Sequence, residues 1–403
     1  MIDLRNLVQV NLKYFLAKPL NRIRDTAVLL VTNQTIFNHL DGIYSSLAEY
    51  EAAIAAYNST AAQADRITDN AASPILYNYL KCFYNNGGVK LHIIGGYTTS
   101  TAIPDVPTWI YEQAKALPYQ EIVITSDAVE ADMRAAQQTS DTIPIVENPL
   151  NGTRTVESLS GYKEKLFISS VTAAVGAELV IPTGAKSYDN YIIKIGDKGI
   201  EMAAAAYFTQ VNVLSANSVN DYCFTAEDVS MFSDASVIDD NATSVTLANK
   251  HFNMNTTLVN ATRNIYGDTV SGLDAMNSFM RIVLTQTVSE RIVSVLATKI
   301  KYNMSGINQV INAITQELNI YKNNGFLSVN DIWTENDLYY TFNGVDYLIC
   351  KQNTPLTSGY KFAVLPLTAL TTEQKQSHAF PPVYILISDS ISIRHILISG
   401  DIY

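Results

Sequence analysis

The chain has few cysteines and no long apolar run, and each shortage narrows the classes of protein to which it can belong. Its three cysteines, Cys82, Cys223 and Cys350, lie far apart and form no Cys-x-x-Cys pair. This spacing favours buried free thiols over a disulfide framework or a zinc site. The longest apolar stretches, such as residues 27–31, are the size of a strand, so we expect no membrane insertion.

Positive charge is also scarce. The sequence has 27 Lys and Arg against 38 Asp and Glu, a formal net charge of -11. Because binding to a phosphate backbone depends on excess cations, we expect no direct nucleic-acid partner. Few charges and 24 tyrosines suit a surface that protein partners cover. The first residues alternate apolar and polar side chains and lack the continuous apolar block of a secretory signal, so we expect a cytoplasmic product.

Sequence motifs for catalysis are missing as well. The five histidines form no His-Glu-x-x-His pair, and there is no Gly-x-Ser-x-Gly elbow, phosphate-binding loop or dinucleotide fingerprint. Asp331, Glu335 and Asp337 do not have the spacing of a calcium loop. We therefore predict a protein that is not an enzyme, with no catalytic, cofactor-binding or metal-binding residues. The alternative is an α/β enzyme with a ligand cleft in residues 101–214, because such sheets bind ligands at their strand ends.

Strand and helix patterns alternate in the first half of the chain and predict a mixed α/β fold with a largely parallel sheet. Strands are predicted at residues 27–32, 89–94, 121–125, 142–147 and 165–171. Helices are predicted at residues 46–57, from a cap at Ser73 to the turn at Gly87-Gly88, and at 108–117, 128–138 and 202–210. The polar stretch 215–274 is predicted to be irregular and to lie on the surface.

The second half contains the clearest amphipathic helix of the chain. We predict that Ser305 caps this helix, that Asn324-Gly325 ends it, and that its inner face consists of Ile307, Val310, Ile311, Ile314, Leu318 and Tyr321. Before it, residues 279–284 are predicted as a strand and 286–300 as a helix. After it, strands are predicted at 339–341 and 346–350 around an Asn343-Gly344 turn, and at 360–365, 383–387 and 391–398.

Both ends of the chain carry strand patterns. Near the start, Val8, Val10, Leu12 and Tyr14 share one face, and such a strand either belongs to its own sheet or adds to the edge of another. Near the end, the apolar positions are Ile391, Ile393, Ile396 and Ile398. We divide the chain into an N-terminal arm strand (1–20), a first body segment (21–100), an α/β segment (101–214), a polar connection (215–274), a C-terminal segment (275–380) and a C-terminal hairpin or arm strand (381–403).

Three stretches, taken in order, resemble the contractile tail sheath proteins of bacteriophages and related contractile injection systems, in their compact, short-chain branch. PILYNYLKCFYNNGGVKLHIIGG at 74–96 is similar to the family's aromatic-rich helix, Asn-Gly-Gly turn and strand. AAAAYFTQVNVLSANSVNDYCF at 203–224 resembles its Ala-rich helix and polar crossover. The third stretch begins with TLVNATRNIYGD at 257–268 and continues to INQVINAITQELNIYKNNGFL at 307–327. It resembles the part of the family's sequence that has a Gly-Ile start, an amphipathic helix and a final Asn-Gly stop. The chain departs from the family at 301–304, where a basic-Ile-Pro-Tyr stretch is common.

The resemblance implies a multi-domain sheath-like body with an α/β sandwich and terminal strands that are exchanged between neighbouring subunits. Subunits of this family stack as hexameric rings around a tail tube and contract to drive the tube through the host cell envelope. The resemblance implies that the C-terminal segment, residues 275–380, faces this tube. The implied partners are further copies of the chain, the tail tube protein, and baseplate and tail terminator proteins. The implied location is the virion tail sheath, assembled in the host bacterial cytoplasm. Another virion tail component is the remaining alternative, and a tailocin or secretion-type device would share these features.

Overall fold

The computed structural model describes residues 25–31, 39–95, 113, 122–125, 166–171, 190–216, 218–239, 251–298 and 300–390. These residues belong to two compact units. The sheet unit contains the described residues up to 211 and those of 220–282. The C-terminal unit contains residues 212–219 and the described residues from 283 onward. The boundaries of the six segments inferred from the sequence stay predictions.

The sheet unit is built on eight strands. Their bounds are β1 (Thr26–Val31), β2 (Gly42–Tyr44), β3 (Lys90–Gly95), β4 (Ile122–Thr125), β5 (Leu166–Val171), β6 (Tyr191–Ile195), β7 (Asn253–Leu258) and β8 (Ala261–Ile265). They form one sheet in the order β2-β3-β1-β4-β5-β6-β7-β8. The strands from β3 to β7 run parallel, and β2 and β8 are antiparallel edge strands. The mixed α/β fold predicted from the sequence is therefore confirmed.

Most residues of the central strands β1 and β6 are apolar. Residues 27–31 of β1 are completely buried, as are most residues of β6. A strand in a parallel sheet that is covered on both faces has this continuous apolar pattern instead of an alternating one. β1, β3, β4 and β5 lie within one residue of their predicted positions.

Three helices belong entirely to the sheet unit: α1 (Leu47–Thr60), α2 (Tyr77–Asn85) and α3 (Glu201–Thr209). α1 begins as predicted, because the Ser46 hydroxyl accepts a hydrogen bond from the Glu49 amide at 3.2 Å. α2 ends as predicted at the Gly-Gly turn. Gly87 has φ +81°, and a Cβ on Gly88 would lie 2.3 Å from the Phe83 ring, so both positions favour glycine.

The predicted start of α2 is wrong. Ser73 does not cap the helix, which begins four residues later with Leu76 at the N-cap position. The Asp69 carboxylate accepts hydrogen bonds from the amides of Ile75, Leu76 and Tyr77 at 2.6, 3.0 and 3.1 Å. The free amides of a helix start need an acceptor, and here it comes from a residue that precedes the helix by a whole loop. A local Ser-Pro signal cannot reveal such a partner.

The prediction of irregular structure for residues 215–274 is also wrong in part. β7 and β8 lie within this stretch and complete the sheet. The sequence of β7 is polar, yet Asn253 and Asn255 are completely buried. The Asn253 amide donates to the main-chain oxygen of Asp268 at 2.6 Å. Since hydropathy detects only apolar strands, a strand whose buried positions are hydrogen-bonded asparagines escapes it. β2 and β6 were missed as well.

The helix α4 (Ala275–Leu296) begins among residues of the sheet unit and continues into those of the C-terminal unit. Residues 279–284 belong to it, so the strand predicted there is wrong. All residues from 275 to 280 and from 282 to 284 are buried, as in a helix that is covered on every side. A short apolar run can be a strand or a buried helix turn, and only the longer pattern separates the two.

The helix α5 (Met304–Asn323) confirms the main prediction for the C-terminal unit. Five of its predicted inner residues are buried, namely Ile307, Val310, Ile314, Leu318 and Tyr321, and Ile311 is half-buried. The capping residue is Asn303, whose side chain accepts from the Gly306 amide at 3.0 Å, and not Ser305. The helix ends at Asn324, and Gly325 follows with φ +91°.

The rest of the C-terminal unit contains β9 (Asp331–Trp333), β10 (Leu338–Phe342), β11 (Val345–Cys350), β12 (Thr354–Leu356), β13 (Tyr360–Val364), the helix α6 (Thr372–Gln376) and β14 (Val383–Ile387). They form three two-stranded sheets, which pair β10 with β11, β12 with β9, and β13 with β14. The predicted hairpin is confirmed, because Asn343 and Gly344 have φ +48° and +76°, as its two-residue turn requires. None of the helices in the described part of the chain is long and apolar enough to cross a membrane.

Candidate functional site

Within the described residues, the two-stranded sheet β13–β14 has no main-chain partner along either outer edge. Ser388 N donates to Gly359 O at 2.9 Å, and Leu365 N donates to Pro382 O at 3.0 Å. Hydrogen-bonded and non-bonded pairs alternate along an antiparallel ladder, so the main-chain groups of Tyr360, Phe362 and Val364, and of Val383, Ile385 and Ile387, point outward. Among the described residues, no main-chain group pairs with these six. Such edges are templates for a further strand.

The two faces of this sheet differ. One face carries Lys361, Ala363, Tyr384 and Leu386, and it is covered by the β10–β11 hairpin, since the Tyr384 ring lies 4.2 Å from that of Tyr340. The other face carries six apolar or aromatic side chains, those of the residues at the open edges. All six are half-buried. A small sheet with one apolar, partly exposed face gains stability when further strands extend it.

The chain leaves β14 in an extended path. Ser328 N donates to Ser388 O at 2.9 Å, and Ser390 N donates to Phe326 O at 2.7 Å, with an antiparallel bridge between Leu327 and Asp389. Ser388 is therefore tied on two sides. Residues 388–390 continue away from β14 instead of turning back along its outer edge.

The edges of the large sheet are covered by the chain itself. Beside β8, Phe224 N donates to Asn264 O at 2.8 Å, and Glu227 N donates to Thr262 O at 2.9 Å. At the other edge, β2 has only three residues, and the Tyr84 hydroxyl donates to the Tyr44 main-chain oxygen at 2.9 Å. Short or covered edges prevent pairing with other chains. Compared with the edges of the large sheet, those of β13–β14 are therefore the better acceptors for an added strand.

The predicted exchange residues lie outside the described residues. They are Val8, Val10, Leu12, Tyr14, Ile391, Ile393, Ile396 and Ile398, and their role stays a prediction. Also outside are the predicted helices at 108–117, apart from residue 113, and at 128–138, and the strands at 142–147 and 391–398. The helix-core residues of α5 are placed as described above. Tyr321 adds a buried hydrogen bond, 2.7 Å long, to the hydroxyl of Thr287.

A buried charged cluster in the sheet unit was missed by sequence reasoning. Lys194, in the middle of β6, is completely buried, and its Nζ lies 2.6 Å from Oε2 of Glu227. The same Nζ donates to the Tyr222 hydroxyl at 3.0 Å and to Asn264 Oδ1 at 2.9 Å. Tyr222 in turn donates to Glu227 Oε1 at 2.7 Å, and Asn255 Nδ2 donates to Oε2 at 2.8 Å. One signal was present, because Lys194 stands between apolar residues within the strand sequence YIIKI.

The cluster joins the edge-covering segment to the sheet. Burial lowers the pKa of Lys194, and the Glu227 carboxylate opposes this shift. Burial also raises the pKa of Tyr222 and of Cys82, and the same carboxylate adds to both shifts. An ion pair away from water persists only with good geometry and additional hydrogen bonds, and both are present here. The cluster therefore has a structural explanation: it holds Glu227, and with it the cover of β8, in place.

The part of the sheet where an α/β enzyme would have its ligand cleft lies mainly outside the described residues. The strand order reverses between β1 and β4, where open α/β sheets bind ligands. The residues that follow these two strands are outside the described part. An open groove of about 360 Å³ lies elsewhere in the sheet unit, lined by residues including Asn78, Asp197 and Phe232. Within the described residues, no group of three or more His, Cys, Asp or Glu side chains could hold a metal ion.

No protein-family model matches the chain, and the search of curated proteins finds no match either. The residues and contacts of the chain itself are therefore the basis for a functional proposal.

Proposed function

We propose that the chain is a structural, non-catalytic subunit of a contractile tail sheath, which polymerises around a tail tube. One observation carries this proposal: within the described residues, the two-stranded sheet β13–β14 has no main-chain partner along either outer edge, and one of its faces is apolar and half-buried. A sheet of this kind is marginal by itself and suits the addition of strands from other subunits.

The strand patterns at the two ends of the chain supply the donors. When their strand lies along one open edge, Val8, Val10, Leu12 and Tyr14 would place four apolar side chains beside those of the apolar face and so extend it. The C-terminal pattern from Ile391 to Ile398 would do the same at the other edge. Because Ser388 N donates to Gly359 O and Ser388 O accepts from Ser328 N, we take another copy of the chain as the acceptor for the C-terminal strand.

Such links account for contraction without disassembly. Main-chain hydrogen bonds of an added strand hold neighbours together, while the connectors leave the bodies free to rotate. Contraction would start from an extended, kinetically trapped sheath and would release free energy through new contacts between bodies. The tail tube, the baseplate and the tail terminator would be the other partners, and the sheath would form in the host bacterium and become part of the virion.

Electron microscopy of the untagged, full-length protein tests the proposal. We expect hollow tubes of uniform width at high protein concentration, and unassembled subunits after deletion of residues 1–14. The substitution Ile385→Pro removes an outward N–H without removing a bond between β13 and β14, so it should weaken assembly but keep the fold. Ile385→Ala is the matched control, because it keeps that N–H. Normal tubes formed by the truncated chain would refute strand exchange.

A further inference from the structure

The buried cluster around Lys194 brings an amine, an amide and a carboxylate into direct contact. Lys194 Nζ lies 2.9 Å from Oδ1 of Asn264 and 2.6 Å from Oε2 of Glu227. All three residues are buried within the sheet unit. A nucleophile, an electrophilic carbonyl group and a proton acceptor at hydrogen-bond distance are the groups that an exchange of one amide for another requires.

The strand register places the amine and the amide on one face of the sheet. Lys194 on β6 pairs with Asn253 on β7. Asn255, two residues further along β7, pairs with Asn264 on β8. The side chains of paired residues share a face, and so do those of residues two apart in a strand. The Lys194 side chain therefore extends across β7 towards Asn264, and the two side chains together span alternate strands, which lie about 10 Å apart.

The surroundings of Lys194 favour the neutral amine, which is the nucleophilic form of the side chain. Burial lowers the pKa of Lys194, and although the Glu227 carboxylate opposes this shift, its Oε2 is also placed to accept a proton from Nζ. The Tyr222 hydroxyl accepts from Nζ at 3.0 Å and donates to Glu227 Oε1 at 2.7 Å. Tyr222 therefore gives a second path for protons between the amine and the carboxylate.

The amide of Asn264 is oriented by contacts at both of its ends. Its Oδ1 accepts from Lys194 Nζ, which polarises the carbonyl group, and its Nδ2 donates to the main-chain oxygen of Tyr222 at 3.4 Å. Because Cγ is bonded to Oδ1, a rotation of the amide brings Cγ to Nζ. Burial keeps bulk water away from these atoms, so hydrolysis of the amide does not compete.

We propose that Lys194 and Asn264 form an isopeptide bond within the chain, and that Glu227 moves the protons. The Nζ–Cγ bond forms and the Cγ–Nδ2 bond breaks, so the ammonium group of Lys194 and the primary amide of Asn264 become a secondary amide and an ammonium ion. Glu227 takes the protons that leave Nζ and delivers them to Nδ2. The carboxylate is thereby regenerated, and no oxidant or other co-reactant is consumed. The ion pair of Lys194 with Glu227 is the state before this reaction.

The bond would fasten β8 to β6 across β7 and join two residues that are 70 positions apart. Such a link limits the conformations of the unfolded chain as a disulfide does, but reducing agents do not cleave it. The inference goes beyond the proposed assembly role and does not depend on it. The reaction occurs once in each chain, so the subunit stays a structural protein.

Mass spectrometry of the full-length chain tests the proposal. After incubation, the folded protein should lack the mass of one ammonia, and a tryptic digest should contain a branched peptide in which Lys194 is uncleaved and joined to Asn264. Glu227→Gln should slow the linkage about a hundredfold or more, because it removes the general base. Lys194→Met and Asn264→Ala should abolish the linkage. Asn260→Ala is the matched control, because Asn260 is exposed on the same hairpin and should leave the linkage unchanged.

The unaltered chain is decisive by itself. Folded protein that contains no branched peptide after prolonged incubation would overturn the isopeptide bond, whether or not the variants fold. A loss of ammonia that maps to Asn343-Gly344 would be ring closure at that turn and would also count against the bond. Circular dichroism establishes which variants fold, and equal linkage rates in folded Glu227→Gln and in the unaltered chain would exclude Glu227 as the base. Denatured chain should form no branched peptide, because only the fold brings Lys194 to Asn264.

Discussion

Removing the carboxylate of Glu227 should strongly destabilise the sheet unit. In Glu227→Gln, the Lys194 ammonium loses the carboxylate that lies 2.6 Å from it and stays completely buried. At an effective dielectric constant of about 20, this pair attracts by about 6 kcal/mol. Part of that attraction only offsets desolvation, and removal of one partner of a buried pair costs about 3–5 kcal/mol. We expect a loss of unfolding free energy in this range.

The pH dependence of the variant gives a second readout. Burial already lowers the pKa of Lys194, and Glu227 opposes this shift, so the variant should have a still lower pKa at Lys194. Between that pKa and the value near 10.4 of an unfolded chain, the unfolded state binds a proton that the folded state lacks. The unfolding free energy of the variant should therefore rise with pH over this range. The rise should begin at a lower pH than in the unaltered protein.

Hydrogen exchange followed by mass spectrometry is the suitable assay, because it reports on the sheet unit separately from the C-terminal unit. Exchange should increase first at the amides of Phe224 and Glu227, which cover β8. The double variant Lys194→Met with Glu227→Gln should be less destabilised than the sum of the single variants, since no charge is left unpaired. Additive effects, or unchanged protection in β6 and β8, would refute the structural role of the pair.

Two further predictions concern single substitutions, and thermal unfolding measures the effect of both. Asp69→Ala leaves the three amides at the start of α2 without their acceptor, and also the Tyr50 hydroxyl, which donates to Asp69 at 2.7 Å. It should lower the unfolding free energy by about 3 kcal/mol, whereas Asp65→Ala, at an exposed residue, should lower it little. Equal melting temperatures of the two variants would show that Asp69 is not the cap. Leu318→Ala in α5 should lower the unfolding free energy by about 2–5 kcal/mol, because the Leu318 side chain is completely buried. Ile311→Ala should lower it clearly less, because Ile311 is half-buried. The reverse order would mean that the inner face of α5 is wrongly assigned.

The individual strands of the sheet β13–β14, which we propose as the acceptor for added strands, could be predicted from sequence. β13, β14 and the β10–β11 hairpin follow from apolar runs and from the Asn343-Gly344 turn, which are local signals. That β13 and β14 pair with each other and leave both outer edges open could not be predicted, because α6 and two loops separate them and register depends on tertiary contacts.

The sequence by itself determined the mixed α/β fold, the inner face of α5 and the turns at Gly87 and Gly344, because each depends on neighbours within a few residues. Only the tertiary structure decided which polar groups, distant in the sequence, form hydrogen bonds with one another. Asp69 caps α2 across a loop, and Lys194 meets Asn264, 70 residues away. A buried polar group needs partners wherever the chain can supply them. Their sequence positions are therefore set by the packing of strands and helices, which no local pattern records.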